Sequence, residues 1–172
     1  MKALRIKNKS ISLKVVKKPQ ATENEALIKV LAAGIGAVDR DIIMGYKDFE
    51  GTFGHEFVGI VQECETSPEL VGNRVVGEIN SGCGYCELCR KDMGRHCAER
   101  DVLGISGRDG AFAEYLVLPA WNLHVVPDSI PTLSAVFTEP LAAALEIVEQ
   151  VHLPPQTTVL IIGDGKLAQL IA

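Results

Sequence analysis

Cys83, Cys86, Cys89 and Cys97 fall in one short run, GCGYCELCRKDMGRHC, with the spacing C-x2-C-x2-C-x7-C. From Ser81 to Arg100 the chain has almost no large apolar side chains, so this stretch cannot bury a core of its own. A zinc ion answers that deficit. It takes four thiolates tetrahedrally, at about 2.3 Å from each sulfur, and contributes roughly 10 kcal/mol or more to folding. Gly82, Gly84 and Gly94 permit the tight turns that wrap one loop around an ion. A redox CxxC pair would be followed directly by a βαβ pattern, which is absent here. His96 adjoins Cys97 and is the alternative donor at that corner, but the four-cysteine set is already complete. Four thiolates leave no open coordination position, so a zinc held this way folds a loop and does no chemistry. The function has to sit elsewhere.

The remaining composition narrows where to look. In 172 residues, 47% are apolar and 23% charged, which suits a globular domain and excludes a disordered chain. The formal charge is -5 and no Lys/Arg cluster stands out, so no nucleic-acid partner is expected. The opening MKALRIKNKSISLK lacks the apolar centre of a signal peptide. No apolar run is long enough to cross a bilayer. A cytoplasmic location without membrane attachment is the expectation. Cys64, the fifth cysteine, would be left over in a disulfide framework, and it ends the alternating run HEFVGIVQEC, where packing is its expected role.

The first half reads as strands: KALRI, ISLKVV, EALIKVLAAG, HEFVGIVQEC and NRVVGEI. Between them, Asp39 is placed to cap a short helix that carries Ile42 and Ile43 and ends at Gly45. Strands resume with FAEYLVLP and NLHVVP. From Leu141 the period changes, since Leu141, Leu145, Val148 and Val151 recur at helical spacing until Pro154 and Pro155. TVLII then predicts a buried parallel-type strand, and GDGKLAQLIA predicts a glycine turn opening a helix.

Six motifs stand in order along this chain. They are Gly54-His55-Glu56 with Gly59, the G-N-R-V segment at Gly72 to Val75, the cysteine lobe, D-G-A-F-A-E-Y at Asp109 to Tyr115, Glu139-Pro140-Leu141, and the glycine turn with Gly163, Gly165 and Ala168. With them the chain resembles the zinc-containing medium-chain dehydrogenase/reductase family, which includes alcohol, polyol and sugar dehydrogenases. The run Asp39, Arg40, Asp41 looks most like its glucose-dehydrogenase-like and polyol branches.

The resemblance implies a mainly β fold with some α. Residues 1–139 would form a GroES-like, partly open β-barrel catalytic domain with a zinc lobe at 81–100. Residues 140–172 would be a linking helix and the truncated first βα turn of a Rossmann domain, from a protein about twice as long. Gly163 would make the turn, Gly165 would let backbone approach the cofactor pyrophosphate, and Ala168 would pack helix on strand. The implied cofactor is NAD or NADP, and the residue that chooses between them lies beyond this sequence. One strand and a helix start cannot form a doubly wound sheet, so this chain alone is not expected to bind dinucleotide usefully.

The resemblance also implies a second, catalytic zinc. His55 and Glu56 match the family's metal-binding pair, Glu139 matches an acidic ligand of the polyol branch, and Asp39 matches the carboxylate that orients the ligand histidine. Three positions depart from the pattern. Gly36 stands where the family has a cysteine ligand. Val38 stands where a Ser or Thr hydroxyl relays the substrate proton. Asp41 stands where many relatives place a histidine. Cys64 cannot replace the missing thiolate, since about nine residues of strand span about 30 Å.

Three readings follow. The first is an NAD(P)-dependent dehydrogenase of a small alcohol, polyol or sugar, homo-oligomeric at full length, in which His55, Glu56 and Glu139 suffice, with Asp41 approaching the metal. The second is a relative that has lost the cleft zinc. The third is a GroES-like assembly or binding module, which would have no use for the glycine turn.

Overall fold

The computed structural model describes residues 1–172. Eleven strands and five helices alternate along the chain. They are β1 (Lys2–Lys7), β2 (Ser10–Val15), β3 (Glu25–Gly34), α1 (Ala37–Ile43), β4 (Gly51–Thr52), β5 (Glu56–Cys64), β6 (Arg74–Gly77) and β7 (Asn80–Ser81). There follow α2 (Glu87–Arg90), β8 (Asp101–Leu103), β9 (Gly107–Arg108), β10 (Tyr115–Pro119), β11 (Leu123–Val125), α3 (Thr132–Ala135), α4 (Thr138–Gln150) and α5 (Lys166–Ile171).

The strands form three open sheets and do not close into a barrel. The main sheet runs β10-β3-β5-β6-β11, with every neighbour antiparallel. β3 and β5 are its spine: β5 is buried along most of its length, and β3 buries Ala26, Leu27 and Ile28 near its start. Ala26, Ile28, Phe57, Val61, Val75, Leu116 and Leu118 build the core there, and Cys64 is buried among them. Its thiol packs as a small apolar group, as the alternating pattern indicates. A second sheet, β2-β1-β4, closes over Ile6, Ile42 and Phe53. Phe53 meets Phe112 edge to face, with ring centroids 4.9 Å apart. The third sheet, β7-β8-β9, is the base from which the cysteine loop projects.

Several expectations shift at the edges. His55 does not lie within a strand but immediately precedes β5. Gly54 before it has φ +96°, and a side chain there would strike the Phe112 ring, so this glycine sets the backbone that aims His55. Asp39 is not the cap of α1 but its third helical residue. The cap is Gly36, whose N–H donates to Asp39 Oδ2 at 2.7 Å.

The last segment departs most from its sequence pattern. α4 begins at Thr138, so the boundary between residues 139 and 140 falls in its first turn, where Pro140 needs no intrahelical partner. The predicted apolar stripe of α4 is largely uncovered, with Leu145 56% and Val148 57% exposed, while Pro140 and Ala144 are the buried contacts. TVLII forms no strand and is not buried, and Ile162 is 92% exposed. An extended segment needs a neighbour to receive its hydrogen bonds, and no strand of this chain lies beside it. The helix predicted after the glycine turn is present as α5.

Candidate metal centres of the lobe and cleft

The lobe brings its four cysteines together. Cys86 caps α2, Cys89 lies within it, Cys83 precedes it, and Cys97 follows a 3-10 turn at Gly94–His96. Cys83 Sγ lies 3.9 Å from Cys89 Sγ, and Cys86 Sγ lies 3.8 Å from Cys97 Sγ. Four sulfurs at about 2.3 Å from one zinc would be about 3.8 Å apart, so the spacing fits the ion. All four ligand atoms lie within 4.8 Å of one another, and His96 is not in the set. Burial opposes the Cys83 thiolate, but the backbone N–H groups of Tyr85 and Cys86 outweigh it and bring its pKa down to about 7. The Gly84 backbone favours the Cys89 thiolate, but desolvation and the neighbouring thiols push its pKa up to about 12. Four close thiols ionise together only around a cation, which is how a metal binds them.

The second cluster lies where α1, β5, α4 and α5 meet. His55, Glu56 and Glu139 each aim a donor atom into one space, again within 4.8 Å of one another. His55 and Glu56 are buried, and Glu139 reaches them from the first turn of α4. Asp39, buried behind them, turns Oδ1 toward His55 Nδ1 at 3.5 Å. Both atoms are buried and neither has a hydrogen-bond partner, so this contact is the one polar approach each makes. That contact orients the imidazole so that Nε2 faces Glu139 Oε2, 4.0 Å away. Burial opposes protonation of His55, but Asp39, Glu139 and Glu56 together hold its pKa above the ordinary imidazole value. Burial, aided by the Glu56 charge, holds the Glu139 pKa above the usual carboxylate range against the pull of His55 and Lys166.

One imidazole and two carboxylates are a donor set that suits a divalent metal and leaves a position open. Tetrahedral zinc would place such atoms about 3.4 Å apart, so His55 Nε2 and Glu139 Oε2, now 4.0 Å apart, have to draw in by about 0.6 Å. A Cβ added at Gly36 would stand 2.7 Å from Glu56 Oε1 and 3.6 Å from His55 Cε1. A side chain at position 36 would therefore point directly into the set, and this chain has none. Val38 packs beside the Ile6, Ile42 and Phe53 cluster. Asp41 does not join the metal donors but pairs with Arg40 at 3.5 Å and is about half exposed.

Lys166 was not anticipated. It is the first residue of α5, and its ammonium bonds Glu56 Oε1 and lies 3.4 Å from the Ile35 carbonyl. No local pattern links it to a carboxylate 110 residues earlier. Gly163 has φ +114° in an exposed turn, Gly165 caps α5, and Ala168 is half-buried within it. A Cβ at Gly163 or Gly165 would touch nothing within 4 Å in this chain.

Comparison with known proteins places this architecture. Residues 22–128 match the family described as alcohol dehydrogenase GroES-like domain, and the chain belongs to it. It is 36% identical over 174 residues to an erythritol/L-threitol dehydrogenase of Mycolicibacterium smegmatis, covering 90% of this chain and 48% of that protein. It is 36% identical over 182 residues to an L-threonine 3-dehydrogenase of Xanthomonas euvesicatoria, covering 100% of this chain and 53% of that one. A short chain alcohol dehydrogenase (rspB) of Escherichia coli CFT073, complexed with NADH, superposes with a TM-score of 0.91 at 31% identity, covering 99% of this chain and 51% of that one. The chain spans about half the length of the curated relatives it matches. None of its helices is long and apolar enough to cross a membrane.

Proposed function

We propose that this chain is the catalytic-domain portion of an NAD(P)-dependent dehydrogenase that oxidises a small alcohol, polyol or sugar. The observation that carries the reading is the convergence of His55, Glu56 and Glu139 on one space in a chain of this family. Relatives that are erythritol/L-threitol and L-threonine dehydrogenases support a hydroxyl-bearing substrate, and the NADH-bound neighbour supports a nicotinamide cofactor. Residues 1–139 are assigned to the catalytic domain, and 140–172 to the linking helix and start of the cofactor domain. Gly163, Gly165 and Ala168 are the cofactor contacts of that start. The same reading carries a cytoplasmic location and a homo-oligomer at full length.

Cys83, Cys86, Cys89 and Cys97 hold the structural zinc in this reading, supported by their 3.8 and 3.9 Å sulfur spacings. His55, Glu56 and Glu139 hold the cleft ion. When bound, a cleft zinc supplies Lewis-acid polarisation of the alcohol oxygen, and the nicotinamide supplies the hydride acceptor. Asp39 keeps a proton on His55 Nδ1 and so leaves Nε2 free to act as a ligand. Val38 has no hydroxyl to pass on the alcohol proton.

The test is alcohol-dependent reduction of NAD or NADP by full-length protein across alcohols, polyols, sugars and threonine, with zinc content measured in parallel. Activity with two zinc ions per chain supports the reading. No reduction with any of them would sink it. The side chain missing at Gly36 favours a second reading, a relative without cleft zinc, whose signature is turnover with one tightly held ion per chain.

A further inference from the structure

We propose that Lys166 is the resident counter-cation of the cleft and competes with a divalent metal for the Glu56 carboxylate. The inference rests on the reading of His55, Glu56 and Glu139 as a cation-binding set. It assigns a role to a residue which that reading leaves unused.

The Glu56 side chain is only 4% exposed. A carboxylate so far from water must be neutralised by a proton, a metal or a cationic side chain. Three acidic groups, Asp39, Glu56 and Glu139, surround the single imidazole of His55. Lys166 is the one cationic side chain that pairs with any of the three. Its ammonium binds Oε1 of Glu56, the same oxygen that faces position 36 and the space beside His55.

The absence of side chains at Gly34 and Gly36 makes this arrangement possible. A Cβ at either position would collide with the Glu56 carboxylate as it now lies. The two glycines thus open the pocket in which Glu56 turns toward Lys166. The ammonium is also held 3.4 Å from the Ile35 carbonyl, between those glycines, so it has a second acceptor. A Lys side chain with two acceptors at a buried carboxylate is seated, although the side chain as a whole remains 32% exposed.

A divalent ion at the three donors would need Glu56 drawn toward His55 and Glu139. It would then face a like charge on Lys166 across a single oxygen. The lysine must leave for the metal to bind tightly, so Lys166 lowers the apparent metal affinity of a site that already lacks a thiolate.

The cleft ion is to be titrated with Co2+ and with Zn2+ in protein whose cysteine site is already filled. Wild type, Lys166→Met and Lys166→Arg are compared. Methionine keeps the volume without the charge, so K166M should bind the cleft ion at least tenfold more tightly. K166R keeps a cation and should stay within about twofold of wild type. A second readout needs no variant. The rate of amine acylation at Lys166, followed by mass spectrometry, should rise several-fold when the cleft ion binds wild-type protein. If a cleft ion binds but K166M matches wild type, or Lys166 acylation does not change, Lys166 has no such role and the metal reading survives. If no variant takes up a second ion, both fall.

Discussion

Asp39 Oδ1 faces His55 Nδ1 at 3.5 Å, while the other oxygen of the same carboxylate accepts the Gly36 N–H at 2.7 Å. One buried side chain therefore accepts the N–H of the α1 cap residue and faces the imidazole of the cleft. Asp39→Ala removes both partners and strands the Gly36 N–H. A loss of about 1–3 kcal/mol in urea unfolding is expected, together with a fall of about 10–100-fold in cleft metal affinity. Asp39→Asn, which keeps an acceptor, should lose less stability.

Gly36→Cys should restore a ligand. An equal share of four-ligand zinc binding is roughly 3 kcal/mol, so affinity should rise by more than about a hundredfold. The new Cβ stands 2.7 Å from Glu56 Oε1, so the carboxylate must rotate to admit it. Gly36→Ala makes the same steric demand without a thiolate and should gain nothing. Equal affinities for the two variants would show that position 36 does not reach the ion.

In the lobe, Cys89→Ser or Cys97→Ser should release the structural zinc, lowering zinc content by one per chain. The loop has no apolar core to fall back on, so residues 82–100 should become sensitive to protease. Unchanged zinc content in both variants would refute the four-cysteine site.

Acid stability should depend on Glu25. Its side chain is 15% exposed and meets Arg108 at 2.6 Å. Burial would raise its pKa, but the Arg108 hydrogen bond, aided by Thr22, outweighs burial and holds it below the ordinary value. A depressed carboxylate pKa adds stability above the unfolded value of about 4.3, and that stability is lost as pH falls through the folded pKa. Glu25→Gln should cost about 1.5–3 kcal/mol at neutral pH. The gap from wild type should close as the pH drops below about 4. A gap that stays constant to pH 2 would rule out this ion pair as the source.

How much of this was legible depended on distance along the chain. The four cysteines carry their own geometry because a single loop supplies every ligand. β3, β5 and β10 are legible because each is long or strongly apolar. β4, β7 and β9 have two residues each and no period to read. His55 and Glu56 stand out by motif, but the motif does not show that Asp39 spends one oxygen on Gly36. Lys166 was invisible, since only tertiary packing carries α5 back to Glu56. TVLII has the apolar content of a buried strand but forms none, because burial needs a neighbour that these residues do not supply.

That unpaired run has a further consequence. Thr157–Ile162 is six residues of β-branched and aliphatic side chains without charge or proline, and Leu160 is 83% exposed. Its backbone N–H and C=O groups make no ladder within the chain. Such a segment is a template on which identical copies add edge to edge. In a preparation of residues 1–172 alone, this stretch, rather than the cleft or the lobe, is where copies would pair into cross-β assemblies.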